Sequence, residues 1–163
     1  MSTQSLHWSE LVATEPDLAS YISQRFTAHE HHVVATTRRD GSARVSGTNL
    51  MFTNGVLWLG MMPSAARTQD LAERPSCAVH SAPINDKLPQ GEGDVRLNCI
   101  ARPLDQEETR SLFLAQFPDA ENVMPGNFFE LLVTSFSIVE VIDNEMVITS
   151  WSPRHGRKQR RYN

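Results

Sequence analysis

Cysteine is scarce, with only Cys77 and Cys99 in 163 residues. Two residues do not make a disulfide framework, and free, buried thiols are the expected state. No apolar run approaches the roughly 20 residues that a membrane-crossing helix needs, so no membrane partner is expected. Met1-Ser2-Thr3-Gln4-Ser5 has neither a basic start nor an apolar stretch. No secretory signal is therefore expected, and a cytoplasmic location is. The chain also lacks Gly-x-Ser-x-Gly, a P-loop and Cys-x-x-Cys. These gaps remove the sequence signatures of nucleophile-elbow hydrolysis, P-loop phosphate binding and dithiol redox chemistry. No catalytic residue is identifiable from the sequence. Chemistry on such a chain would rest on a bound cofactor that the protein orients.

What is present is ordinary in bulk: 40% apolar and 21% charged residues, as in a soluble globular domain. The length suits one domain over 1–163. Charge is unevenly placed. Arg154, Arg157, Lys158, Arg160 and Arg161 fall in the last ten residues, so the net −4 of the whole chain leaves −9 on the remainder. This predicts an acidic body with a basic, solvated tail over 154–163. A nucleic-acid partner is not expected, because the basic run is short and lacks interleaved aromatics.

The centre of the chain is Val33 to Arg74. Val33-Val34-Ala35-Thr36-Thr37 suits a strand. Asp40-Gly41 and Asn54-Gly55 are hairpin signals, because such turns need positive φ. They bracket a second strand over 43–53. Val56 to Met61 is a third strand, apolar on both faces and therefore central. Pro63-Ser64 breaks it, and Ser64 is placed to cap a helix running to about Arg74. A helix N-terminus offers unpaired N–H groups and a positive dipole end. Arg67 in the first turn opposes that dipole unless an anion such as a phosphate lies between them. The competing reading is an ordinary surface arginine.

The order Asp40-Gly41-Ser42-Ala43-Arg44-Val45-Ser46-Gly47, then Asn54-Gly55-Val56-Leu57-Trp58-Leu59-Gly60, then Ser64-Ala65-Ala66-Arg67-Thr68-Gln69-Asp70-Leu71 resembles the flavin-binding split-barrel superfamily. That superfamily includes pyridoxamine 5'-phosphate oxidase and relatives that use FMN or a deazaflavin. The resemblance covers about Val33 to Trp151. It implies a mainly β fold with flanking helices, a six- to seven-stranded antiparallel split β-barrel. It also implies a homodimer with the flavin ring at the subunit interface. On this resemblance Ser46, Gly47, Thr48 and Asn49 border the ring. Gly60, Met61 and Met62 reach toward the ribityl chain and phosphate, and Ser64 and Arg67 hold the phosphate. Trp151 and Arg154 match a C-terminal segment that contacts the cofactor of the other subunit. The sequence departs from the pattern at Gly47, Asn49, Met61 and Ala65, where relatives carry proline, an aromatic, threonine and serine. Arg67 keeps the positive charge.

Elsewhere the pattern is simpler. A helix is predicted over about 14–28, with Thr14 as its cap and Leu18, Tyr21, Ile22 and Phe26 as its apolar stripe. His29, His31 and His32 fit no strong metal spacing, and no metal is expected. Ser76 to His80 is a fourth strand. Residues 82–93 form a loop placed to cover a site. In the fifth strand, Asp94 to Arg102, the residues Val95, Leu97, Cys99 and Ala101 should face inward. Asp105 and Glu108 open a second capped helix that ends at Pro118. In a long strand over 128–142, Phe129, Leu131, Val133, Val139 and Val141 should share one face. Leu132, Phe136, Ile138 and Ile142 should share the other. Met146 to Trp151 is a last strand, and barrel closure should remove the open edges.

The resemblance implies an FMN-dependent oxidoreductase that exchanges hydride with a small conjugated substrate. The deazaflavin coenzyme F-420 is the alternative cofactor, since the basic tail could meet its acidic side chain. The rival expectation is a non-catalytic flavin- or other ligand-binding, stress-related protein on the same barrel.

Overall fold

The computed structural model describes residues 4–82 and 93–162. Two short helices come first, α1 (Trp8–Thr14) and α2 (Pro16–Thr27). Four strands follow: β1 (His32–Thr37), β2 (Ala43–Thr48), β3 (Met51–Thr53) and β4 (Val56–Met61). Helix α3 (Ala66–Glu73) leads to β5 (Ser76–His80) and β6 (Gly93–Pro103). Helix α4 (Gln106–Gln116) precedes β7 (Asn127–Ile142), β8 (Glu145–Ser152) and β9 (Gly156–Tyr162). All named strand pairs are antiparallel. The order is β2-β1-β5-β6-β7-β4-β3, with β8 and β9 branching from β7.

Among the described residues nine strands stand where six or seven were expected, and the sheet they form is not closed. The stretch read as one strand over 43–53 is broken at Asn49-Leu50. Its halves take different partners, β1 for β2 and β4 for β3. The two ends of the sheet path are therefore consecutive in sequence but unpaired with each other. The basic tail is exposed as expected but is not an unstructured extension. It forms β9, in register with β8 from Met146–Tyr162 to Ser152–Gly156. No helix among the described residues is long and apolar enough to cross a membrane. The loop expected to cover a site lies largely outside the described residues, at 83–92.

Turn chemistry explains the hairpins. Asn54 and Gly55 both have positive φ, as do Asp143 and Asn144 between β7 and β8. At Asp40-Gly41 only Gly41 does. That turn is longer, with Arg38 N–H donating to Ser42 O and Gly41 N–H to Arg38 O. Helix α4 begins with the expected capping box. Glu108 N–H donates to Asp105 Oδ1 at 2.8 Å, and Asp105 N–H donates to Glu108 Oε2 at 3.0 Å. Helix α2 starts at Pro16, and its cap is Glu15 rather than Thr14. The Thr14 hydroxyl instead donates back to Glu10 O and closes α1.

The long strand corrects the expected faces. Asn98 pairs with Ser135 but Cys99 pairs with Val133, so Thr134 is an extra residue in β7. A bulge of one residue reverses the alternation beyond it. Phe129, Leu131 and Val133 before it, and Phe136 and Ile138 after it, are all buried in one core. Opposite them Val95, Leu97, Cys99 and Ala101 alternate without interruption and are buried as expected. Cys77 and Cys99 are free thiols. Burial pushes the Cys77 thiol up to about 12 and the Cys99 thiol well above its usual value.

The outer edge of β7 serves two ribbons. Asn127 to Glu130 pair with β4, and Phe136 to Ile142 pair with β8. The gap between them is filled by the N-terminal segment, where Leu6 and Val133 exchange both backbone hydrogen bonds at 2.9 and 2.8 Å. Beside this junction Glu130 is buried. It accepts from Arg102 Nε at 2.8 Å and Nη2 at 2.6 Å, and it meets His7 Nδ1 at 2.7 Å. Arg102 also pairs with Glu108, tying α4 to the sheet. A buried carboxylate persists only with such partners.

His32 is the counterexample. It is 3% exposed, sits edge-on to Phe26, and has no hydrogen-bond partner on either ring nitrogen. Burial, reinforced by His29 and His31, lowers its pKa below 6.5.

Three outcomes are expected. Thr134→Ala keeps the bulge and loses only the hydroxyl bond to Asn98 O, costing about 1 kcal/mol in urea unfolding. Deleting residue 134 reverses half of β7 and abolishes the cooperative transition. For His32, the folded state excludes a proton that the unfolded chain accepts near pH 6.5. Its contribution to stability is complete above that value and is lost as pH falls toward the folded pKa. His32→Leu should therefore lose less stability than the parent protein between pH 7.5 and pH 5 in parallel urea melts.

Candidate functional site

Two apolar regions lie on either side of β4. Leu57, Leu59 and Met61 belong to the main core, while Trp58 joins Leu112 and Phe113 of α4 in a second cluster. Because β4 is apolar on both faces, it can be covered from both sides. The Trp58 indole donates to Thr53 Oγ1 at 3.0 Å, and that hydroxyl donates to Gln116 Oε1 at 2.5 Å. This chain of bonds fixes the C-terminal turn of α4 over the sheet.

Between this cluster and the end of β2 lies a cleft of about 690 Å³. Gly47, Thr48 and Asn49 form one rim, and His31 stands beside them. Gly60, Met61 and Met62 lie along the adjoining strand end, with Arg67 close by. The opposite wall is Phe113, Phe117 and Phe128, with Met124 and Pro125 from the connection after α4. Ring centroids of Phe113 lie 4.9 Å from Phe117 and 6.0 Å from Phe128, so the wall is a continuous aromatic surface.

The wall depends on two glycines. A Cβ at Gly60 would lie 2.9 Å from the Phe128 ring, and one at Gly126 would lie 3.2 Å from it and 2.9 Å from Met61 O. The Phe128 ring is thus held between two places that tolerate no side chain.

Arg67 supplies the positive charge. It lies in the first turn of α3, and its Nη1 donates to Ser46 Oγ at 3.2 Å and to Gly47 O. Burial lowers its pKa from the ordinary arginine value and leaves it a cation. The guanidinium therefore joins the start of α3 to the rim of β2, beside the positive end of the helix dipole. Ser64 is exposed and is not the helix cap. Ala65 holds that position, with no side-chain cap bond. Met61 is buried with the main core, and the Thr68 hydroxyl lies 3.7 Å from its sulfur.

Trp151 and Arg154 lie elsewhere in this chain. Trp151 stacks on Phe136 at 5.4 Å, in a separate groove with Arg96, His155 and Lys158. Arg154 is exposed in the turn before β9. The three histidines do not converge. His29 is exposed, His31 lies at the cleft with Nδ1 3.0 Å from the Asn49 amide, and His32 points into the core. No group of three His, Cys, Asp or Glu among the described residues could hold a metal ion.

The cleft contains residues that the sequence did not single out: Met51, Trp58, Phe113, Phe117, Met124 and Phe128. Phe113 and Phe117 stand at i, i+4 on α4, a spacing that signals packing, but nothing local says that the pair faces a cleft. Donor chemistry and shape fit a flavin phosphate ester. One cation at a helix N-terminus suits a terminal phosphate, and an aromatic wall with amide and hydroxyl groups opposite suits a planar heterocycle.

No protein-family model and no curated protein matches this sequence. Solved structures do match. A pyridoxamine 5'-phosphate oxidase-related, FMN-binding protein from Nostoc punctiforme is 11% identical, with TM-score 0.65 over 95% of this chain and 99% of that one. PhzG from Burkholderia lata, in complex with tetrahydrophenazine-1-carboxylic acid, is 9% identical, with TM-score 0.64 over 94% and 92%. The heme storage protein HutZ from Vibrio cholerae is 12% identical, with TM-score 0.53 over 73% and 89%. These likenesses establish the fold that the sequence resemblance implied. It is mainly antiparallel β with flanking helices, as in pyridoxamine 5'-phosphate oxidase-related split-barrel proteins.

Gly60→Ala should destabilise the protein by about 1–3 kcal/mol, because the new methyl would meet the Phe128 ring at 2.9 Å and force it from its place in the wall. Urea unfolding gives the magnitude. A changed near-ultraviolet circular dichroism signal from Trp58 and Phe128 gives the location. An unchanged spectrum together with unchanged stability would contradict the clamp.

Proposed function

We propose that this protein is a flavin-dependent oxidoreductase, similar to pyridoxamine 5'-phosphate oxidase. It would bind FMN in the cleft at a homodimer interface and exchange hydride with a small conjugated substrate. The observation that supports this most directly is Arg67, held at the start of α3 against Ser46 and Gly47 at the polar end of an aromatic-walled cleft. When bound, the flavin supplies the two-electron chemistry that no side chain here provides.

The chain's own residues then have distinct roles. Arg67 and the first turn of α3, with Ser64 beside them, hold the terminal phosphate. Gly47, Thr48 and Asn49 border the ring, and their backbone and short side chains leave room for a flat heterocycle. Gly60 and Met62 line the path between the two, and Met61 supports that path from the core side. Trp151 and Arg154 would act on the cofactor of a second copy, since in their own chain they lie away from the cleft. The basic strand β9 would then offer Lys158 and Arg160, which share one face of it, to acidic groups of that cofactor. This feature also suits the deazaflavin coenzyme F-420. One observation favours a non-catalytic, ligand-binding role instead. Ala65 caps α3 without a hydroxyl, which leaves the phosphate one donor fewer.

Titration of the cofactor-stripped protein with FMN and, separately, with coenzyme F-420 tests the proposal. Binding of one flavin is expected, and Arg67→Gln should weaken it about tenfold or more, as loss of a charge-assisted hydrogen bond does. Unchanged affinity in that variant would return Arg67 to a structural role. Failure to bind either flavin would leave the ligand-binding reading in place.

A further inference from the structure

The polar side of the cleft holds one imidazole. Among the described residues that line it, only His31 and Arg67 carry a titratable group. His29 is exposed and His32 points into the core, so His31 alone of the three histidines reaches the cleft. Arg67 is engaged at the other end of the rim, where it donates to Ser46 Oγ and Gly47 O. His31 sits beside Asn49. That residue is two positions beyond Gly47, about 7 Å further along at the rise of a strand. The two polar groups therefore face different parts of whatever lies along the rim.

Asn49 fixes the proton of the His31 ring. With its NH2 turned toward them, the Asn49 amide donates to His31 Nδ1 at 3.0 Å and meets the backbone oxygens of Glu30 and Thr48, each at 3.2 Å. Turned over, the NH2 finds only Glu30 Oε1, at 3.5 Å, and the amide oxygen faces acceptors alone. The first arrangement satisfies the amide, so the network selects it. An imidazole nitrogen that accepts a hydrogen bond carries no proton, which leaves the N–H of the neutral ring at Nε2. Nε2 meets no hydrogen-bond partner among the described residues. His31 thus keeps one oriented donor in reserve at the ring end of the rim.

We infer that His31 donates a hydrogen bond from Nε2 to the ring of the bound cofactor, with Asn49 as the residue that positions it. This rests on the flavin reading and deepens it by naming a residue that favours the reduced cofactor. Two-electron reduction puts negative charge on the pyrimidine edge of a flavin. A donor already held in place by its own partner meets that charge without reorganising. Other charges act on the same ring. Glu30 and Arg67 of this chain are near, and a second copy would add Arg154, Lys158 and Arg160. None of these depends on which nitrogen of His31 carries the proton, so the donor can be tested apart from them.

Two measurements test the inference. In cofactor-free protein at mildly alkaline pH, nitrogen-15 spectra of the imidazoles should place the His31 proton on Nε2. Asn49→Asp should move it to Nδ1, whose N–H the new carboxylate accepts. In FMN-saturated protein, His31→Phe should weaken binding of the reduced cofactor about tenfold relative to the oxidised one. That ratio is a fall of about 30 mV in the two-electron midpoint potential. His31→Gln carries an amide N–H in place of Nε2 and should recover at least half of the fall. His31 is exposed, so neither substitution disturbs the core, and the cations of a second copy are the same in all three proteins. A parent ring protonated on Nδ1 overturns the inference. So does a midpoint potential that His31→Phe leaves unchanged, or one that falls equally in His31→Gln. The flavin reading survives each of these results. Failure of FMN to bind removes the flavin reading and the role of this donor with it, wherever the ring proton lies.

Discussion

One extra residue in one strand governs the architecture. Without Thr134, β7 would present Phe129, Leu131 and Val133 to the core and turn Phe136 and Ile138 outward. With it, both halves of a 16-residue strand face the same core. The bulge falls where β7 changes partners on its other edge, from β4 to β8, with the Leu6 backbone between them. A strand that must bend between two ribbons needs a local break in pairing, and a bulge supplies bend and twist together. The placement of β4 against the first half of β7 follows from this. So does the placement of the cleft, because Gly60 lies directly opposite Phe128 in that pairing.

The buried carboxylates reinforce the same junctions. Glu130 joins β7 to β6 and α4 through Arg102, and to the N-terminal segment through His7. Asp70 performs a similar task on the other side of the molecule. It accepts from Thr36 at 2.8 Å and Arg44 at 2.6 Å, and so fastens α3 to β1 and β2. The Arg44 bond, more than any other partner, holds its carboxyl below the usual range despite burial. Helix α3 is thereby anchored at its middle, and its first turn is free to present Arg67 to the rim. The cleft's positive charge is positioned by an ion pair that takes no part in the cleft itself.

Much of this was legible locally, and the misses share a cause. Asn54-Gly55, Asp143-Asn144 and the Asp105–Glu108 box act within four residues, so the sequence states them outright. The alternation of Val95, Leu97, Cys99 and Ala101 is also local and correct. The faces of β7 were misread because a bulge is invisible to a periodicity argument, which sees residue types but not pairing register. The order of the basic tail is equally hidden from periodicity, because a strand of arginines has no apolar alternation. Its order comes from backbone pairing with β8, to which the side chains add the Arg161–Glu145 ion pair and a hydrogen bond from Gln159 to Thr149.

The candidate site divides along the same line. Sequence alone determined that a helix with an arginine in its first turn follows a two-faced strand, because caps, turns and apolar runs are properties of neighbouring residues. The residues of β2 and β4 expected near a ligand came from the family resemblance, and Gly47, Thr48, Gly60 and Met61 do line the cleft. Only the tertiary structure decided that Arg67 turns back to Ser46 and Gly47, and that Phe128 joins Phe117 and Phe113, 11 and 15 residues before it, in one wall. It also separated His31 at the cleft from His32 in the core. Those outcomes depend on which strands pair and in what register. Pairing register is chosen by burial summed over the whole sheet, and no short window of sequence contains that sum.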